Sequence, residues 1–388
     1  MFKLPINGAT TYNVIFIRIF ITMQRFFAAC LISIIALHIS PRAFSTHLED
    51  HISNYDETAS APSLVPHVAL LLPLQSSSFG QAADVVRQGF AAAATREQTL
   101  PTTIRVYSTT DDPLDILITY HQALDAGAIL VVGPLTRDGV SALASSSVIA
   151  VPTLTLNTAD GDIIAPPNLY LFGLQMENEA SLSAEFAKAE NRPHAVIIHD
   201  GSPLSLRLQA AFADKWLQSD AYATAESIPY YNEPSVLKQF RRQTADKNTV
   251  IFLTLDAKKS RILRPYLNPG TPVYATSQVY TGKDNSLYNH DLNDIRFVDM
   301  PWLLQPDHPA VMAYRHADNL GSMDMERLYA LGIDAFRLMA RMLQAYTVDE
   351  ISLDGVTGYI HFTPPNQFIR EAIPAKFHNG RVLRLNSQ

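Results

Sequence analysis

Residues 129–143 read ILVVGPLTRDGVSAL. Four residues of buried-strand type, Ile129, Leu130, Val131 and Val132, meet Gly133 and pass through Pro134, Leu135 and Thr136 into a helical pattern. A strand that empties into a helix N-terminus is the joint of a doubly wound parallel sheet. It leaves backbone N–H groups at the sheet edge, where a ligand can sit. The same joint recurs on both sides of this stretch, and that recurrence sets the fold class.

Upstream, residues 68–72 (VALLL) form an all-apolar strand, followed by a helix over 81–94, a strand over 104–107 and a helix over 113–126. Downstream, 148–156 carries a strand with Asn157 at its tip, and 169–174 (LYLFGL) reads as extended. A second series opens at Glu177. Its helices cover 178–188, 204–218, 235–243 and 260–266, and its strands 195–198, 227–230, 250–255 and 273–275. Leu206, Ala210, Ala213 and Leu217 mark one face of the longest helix. Continuous apolar strands between amphipathic helices imply parallel sheets covered on both faces, here two lobes of about five strands each.

The tail departs from this rhythm. Residues 296–304 read as one more strand and 325–346 as a long helix, while 358–362 and 374–385 alternate as antiparallel strands do. Asn379-Gly380 between Phe377 and Val382 is a hairpin signal. The fold class is therefore α/β, with two doubly wound parallel-sheet lobes joined by three crossovers. Lobe 1 is expected over about 67–174 plus 295–346, and lobe 2 over about 175–294 plus 347–388.

Apolar residues make up 47% of the 388 and charged residues 17%, as in globular chains. The net charge is −7, and residues 1–45 hold Lys3, Arg18, Arg25 and Arg42 with no acid, so 46–388 carry −11. An acidic body without clustered Lys and Arg argues against a nucleic-acid surface. The one cysteine is Cys30. Thiolate metal sites, thiol catalysis and disulfides are thereby excluded from residues 46–388.

From Met23, which the pattern favours as the start, a short basic region with Arg25 precedes an apolar run over 26–39. Ala43 and Ser45 then suit signal-peptidase cleavage before Thr46. The run is short of the roughly 20 residues that span a bilayer. Phe27-Ala28-Ala29-Cys30 permits a lipid anchor instead, and an uncleaved anchor is the third reading; all three send the protein to the periplasm. Residues 46–66 read as a flexible linker.

VALLLPLQSSSFGQAADVVRQGFAAA, LVVGPLTRDGVSAL, VPTLTLN, LYLFGLQMENEA and the closing GVTGYIHF and IPAKFHNGRVLRL together resemble the penicillin-binding protein activator family. The likeness runs from about Val68 to Leu385 and rests on the combination of GPL, FGL-x-x-E-x-E-A and F-x-N-G-R-V. It implies a type I periplasmic-binding-protein-like fold and a non-enzymatic role: binding a bifunctional class A penicillin-binding protein and stimulating peptidoglycan synthesis, as a monomer and without cofactor. Better-known members carry a helical-repeat domain and a lipidated cysteine ahead of this fold, where this sequence has the 46–66 linker.

The residues alone leave a second reading open, a solute receptor of an ABC transporter for an amino acid or similar small molecule. Ser76, Ser78, Thr136, Asn157, Thr158, Ser202, Ser277 and Tyr280 fall at strand tips and would line a cleft between the lobes. The same residue types serve equally as helix caps and turns. Asp160, Asp200 and Asp256 are candidate partners for an ammonium group. Gly133-Pro134-Leu135-Thr136 lacks the glycines and lysine of a phosphate loop, and Pro134 and Leu135 stand where a receptor would offer N–H groups. No G-x-S-x-G or H-E-x-x-H spacing occurs, and no catalytic or metal residue is assigned. For a protein partner the candidates are Trp302 and Leu303 in MPWLLQPDH, and Phe368 and Ile369 beside the stiff TPP turn.

Overall fold

The computed structural model describes residues 64–385, apart from 98–99, 101, 147–148, 162, 219–220, 283–285 and 315–319. The signal segment, Cys30 and nearly all of the linker lie outside the described residues. The first sheet starts from β1 (His67–Leu72), β2 (Thr103–Ser108), β3 (Ala128–Val132), β4 (Thr153–Thr155) and β5 (Leu169–Leu171), all parallel. Between them run α1 (Gly80–Arg96), α2 (Pro113–Asp125) and α3 (Arg137–Ala144). The chain then crosses to the second lobe. There α4 (Met176–Lys188), β6 (His194–His199), α5 (Pro203–Leu217), β7 (Thr224–Pro229), α6 (Pro234–Gln243), β8 (Thr249–Leu253), α7 (Ala257–Leu263) and β9 (Val273–Ala275) build a second parallel sheet. A short helix, α8 (Ser286–Asn289), leads to β10 (Ile295–Asp299), which pairs in parallel with β9.

From Met300 the chain returns to the first lobe through α9 (Pro301–Leu304), α10 (Pro309–Met312) and the 22-residue α11 (Met323–Gln344). Three strands, β11 (Ser352–Asp354), β12 (Tyr359–Thr363) and β13 (Gln367–Glu371), extend the first sheet. A last crossing delivers β14 (Ile373–His378) and β15 (Arg381–Arg384) to the second sheet. The strand orders are β11-β12-β13-β5-β4-β3-β1-β2 and β15-β14-β10-β9-β8-β6-β7.

Two expectations about the lobes are corrected here. The strand at 295–299 belongs to the second sheet, because its parallel register with β9 continues the βα series before any crossing. Residues 352–371 belong to the first sheet, where β13 pairs with β5. Only the β14–β15 hairpin returns to lobe 2. Pro301 also ends the strand short of 304 by opening a helical turn, as proline at a first helical position does.

Each lobe has cores on both faces of its sheet. In lobe 1, α1 and α11 cross so closely that backbone meets backbone. A Cβ on Gly332 would sit 2.1 Å from the Val86 carbonyl oxygen, and one on Gly89 2.0 Å from that of Tyr329. Glycine on both helices is what permits the contact. Among the described residues no helix is long and apolar enough to cross a membrane.

Candidate functional site: the cleft between the lobes

The opening stretch reaches the other lobe. Gly133 has φ +112, and a Cβ there would meet the Leu71 carbonyl at 2.0 Å, so glycine is required at this joint. Leu135 is buried against the first core instead of facing the edge. Its carbonyl accepts from Asn157 Nδ2 at 3.0 Å, and Thr136 caps α3 by accepting from the Gly139 N–H. Arg137 then reaches across. Its Nη2 donates to Glu177 Oε1 at 2.5 Å, while Nη1 donates to Asp160 at 3.1 Å. Arg207 of α5 joins the same Glu177 oxygen at 2.8 Å.

Deeper between the lobes lies a cleft of about 600 Å³. Leu174, Met176, Leu204, Met323 and Leu328 contribute apolar walls, and Glu179, Arg327 and Arg370 its charged base. Glu179 sits one turn into α4, where the helix N-terminus favours an anion. Arg370 of β13 donates from Nη2 to Glu179 Oε1 at 2.6 Å and from Nε to the Leu174 carbonyl at 2.8 Å. The other Glu179 oxygen accepts from the Ser277 N–H at 3.0 Å. The two side chains are 2% and 3% exposed, so this pair is dry.

A second buried pair lies alongside. Arg327, at the start of the second turn of α11, donates from Nη2 to Asp299 Oδ2 at 2.7 Å and from Nε to Asp299 Oδ1 at 3.2 Å. It also donates to the carbonyls of Ser277 and Tyr280. Burial alone would discourage charge on Arg327, but Asp299 beside it overrides this and holds the guanidinium above its ordinary pKa. Asp299 ends β10 and Arg370 is the penultimate residue of β13. Each crossing between the lobes is thus tied down by an arginine: Arg370 at Leu174 and at its own strand end, Arg327 at Asp299.

Of the eight polar residues read as cleft candidates, only Ser277 and Tyr280 line it. Ser76 bonds the N–H groups of Ser78 and Phe79, and Asn157 accepts from the Thr158 N–H. Ser202 caps α5 through the Ser205 N–H. These six form caps and turns, as the residue types allow. The three acids considered for an ammonium group are engaged by the chain itself. Asp160 takes Arg137, Asp200 takes Lys259 at 2.5 Å, and Asp256, which does line the cleft, accepts from the Lys259 N–H at 2.8 Å.

The partner-binding candidates are corrected by burial. Trp302 is 1% exposed; its indole N–H donates to Glu326 Oε2 at 2.9 Å and its ring packs on Tyr329. Leu303 is half-buried against the same core. Phe368 is fully buried, packed on Tyr170 and Phe362, because strand alternation turns it inward; Ile369 beside it is half-buried. None of them presents a free apolar anchor.

The charged residues at the cleft base escaped the sequence reading, although signals existed. Glu177 and Glu179 are the two acids of FGL-x-x-E-x-E-A. Arg370 falls in phase with the inward Phe368. Arg327 lies on the stripe of Leu331 and Leu338 at helical spacing, which marks a buried charge. Among the described residues no group of three or more His, Cys, Asp or Glu could hold a metal ion.

Two lobes, three crossings and a cleft between carboxyl-terminal strand ends define a type I periplasmic-binding-protein-like chain. It belongs to the family described as "LppC putative lipoprotein", whose model matches residues 59–380. It is similar to the penicillin-binding protein activator LpoA of Haemophilus ducreyi, 25% identical over 359 residues, which cover 90% of this chain and 58% of that protein. The C-domain of Haemophilus influenzae LpoA, described as a regulator of PBP1A, superposes with a TM-score of 0.70 at 22% identity, over 82% of this chain and all of that one. A Chromobacterium violaceum structure described as a "putative branched-chain amino acid ABC transporter" matches at 34% identity and TM-score 0.68, over 81% of this chain and 100% of that one. The chain spans 53% to 59% of the length of the curated relatives it matches.

Proposed function

We propose that this chain is a non-enzymatic periplasmic regulator that binds a bifunctional class A penicillin-binding protein and stimulates its peptidoglycan crosslinking. The observation that carries this reading is the engagement of the charged groups at the cleft's base with one another across the lobes. Glu179, Asp299, Arg327 and Arg370 neutralise one another, which suits a rigid platform better than a clamp that must offer charges to a solute. The curated relatives named as activators of penicillin-binding proteins supply the partner class. The mechanism is a population shift: the regulator binds the crosslinking-competent synthase conformation more tightly and enriches it.

A solute receptor is the second reading. The 600 Å³ cleft with apolar walls and the likeness to the Chromobacterium violaceum structure favour it. One experiment separates the two. Glycosyltransferase and transpeptidase activities of the organism's purified class A penicillin-binding proteins are measured with and without the chain, alongside thermal melts against an amino-acid panel. Raised crosslinking with flat melts supports the regulator. No stimulation, with a solute stabilising the fold by about 2.7 kcal/mol at 100 times Kd, supports the receptor.

A further inference from the structure

On the second sheet, α4 lies over β9 and β10 and α5 over β6 and β7, leaving the same face of β14 and β15 without a helix among the described residues. Here α4, the sheet and Leu385 bound a groove of about 720 Å³. Phe186, Val298, Pro374 and Leu385 make it apolar, and Leu383 on the outer strand is 43% exposed. Alternation and register put Arg296, Lys376, Leu383 and Arg381 on this one face. Arg296 stands directly opposite Lys376, Lys376 opposite Leu383, and His378 opposite Arg381.

Two cations directly opposed across strands repel unless a third group intervenes. Glu190, two residues past α4, takes Arg296 at 3.2 Å and also accepts from the Tyr274 hydroxyl. Lys376 and Arg381 have no anionic partner among the described residues. On a body whose residues 46–388 carry −11, two unpaired cations beside exposed leucine on an uncovered sheet face are complementary to one kind of surface.

We propose that this face of β14 and β15, beside the edge of α4, is a docking site for an acidic, apolar segment of the partner synthase. Its apolar residues seat against Phe186, Leu383 and Leu385, and its carboxylates meet Lys376 and Arg381. The synthase as owner of the segment rests on the function proposed above; the chemistry of the face does not.

The test uses the full chain and two short labelled synthetic peptides that share leucines and phenylalanines. One alternates them with Asp and Glu, the other with Lys and Arg. The acidic probe is expected to bind at least about tenfold more tightly than the basic one, and Lys376→Glu with Arg381→Glu to reverse that preference. Arg105→Glu, exposed on β2 in the other lobe, serves as the control and leaves both affinities unchanged. Equal binding of the two probes, or a double variant that still prefers the acidic one, overturns the site. In the crosslinking assay the double variant is expected to lose most of the stimulation while its melt is unchanged. Undiminished stimulation overturns the synthase as owner of the segment. If the unaltered chain stimulates no synthase, the proposed function fails, and the peptides still decide the face.

Discussion

Arg370 Nη2 lies 2.6 Å from Glu179 Oε1, and the two residues belong to different lobes. The pair is dry, each partner is also hydrogen-bonded to backbone, and it is set at the point where the chain has crossed once and is about to cross again. Its geometry makes the relative position of the lobes a matter of buried charge, and buried charge tolerates few alternatives.

Removing one partner leaves the other buried and unpaired. Arg370→Ala is expected to destabilise the fold by about 3–5 kcal/mol, read as a lower urea midpoint. Arg370→Met combined with Glu179→Met is expected to recover much of that loss, since two apolar side chains leave no orphan charge. A double variant as weak as the single one would show that the charges themselves are needed.

The rim pair predicts a different response. Arg137 and Glu177 are 21% and 25% exposed, so Arg137→Ala is expected to cost only about 1 kcal/mol. Spin labels placed one on each lobe should report a single narrow distance in the wild type and in Arg137→Ala, with broadening in Arg370→Ala. A broad distribution in the wild type would contradict a locked cleft.

Asp200 gives a pH test. Burial works against its charge, but hydrogen bonds from Lys259 and Ser202 prevail and hold its carboxyl well below the ordinary range. A depressed carboxyl stabilises the fold above its unfolded pKa near 3.9, and that contribution is lost as pH falls toward the folded value. Asp200→Asn is therefore expected to lower stability by about 1 kcal/mol at neutral pH. Melts recorded down the acid range should show the wild type losing its advantage below about pH 4. A difference that stays constant with pH would assign the effect to packing.

The crossing of α1 and α11 is a steric prediction. Gly332→Ala places a methyl against the Val86 carbonyl and is expected to cost about 1–3 kcal/mol by overpacking. The control Gly161→Ala faces open space at φ +67, so its cost comes from backbone strain alone. Equal calorimetric shifts for the two would remove the steric argument.

Mass spectrometry of the mature protein decides its N-terminus. Cleavage before Thr46 gives a soluble thiol-free chain, whereas a diacylglyceryl mass on Cys30 gives the lipoprotein that the family's description names.

The elements themselves were legible in the sequence, because all-apolar runs such as residues 68–72 carry their burial pattern locally; the face of the 204–218 helix was not, since Leu206 and Leu217 are 43% and 48% exposed while Ser205, Leu208, Phe212 and Trp216 are buried. The Asn379-Gly380 turn was legible for the same reason, since both residues take positive φ and few other types do so without strain. The allocation of 295–299 and 352–371 to lobes was not. An apolar strand reads alike in either sheet, and only pairing with β9 or β5 decides between them.

The candidate site divides along the same line. Composition and periodicity by themselves determined two doubly wound lobes, a chain without thiols beyond Cys30, and an acidic body. Tertiary structure alone decided that Trp302 and Phe368 are core, and that six of the eight cleft candidates are caps and turns. It also decided that Glu179, Asp299, Arg327 and Arg370 hold the lobes together. The reason is physical: a hydroxyl or a charge has the same local propensity whether it caps a helix, meets solvent or pairs across a cleft. Which of these it does depends on residues about 28 to 191 positions away, as for Arg327 with Asp299 and Arg370 with Glu179.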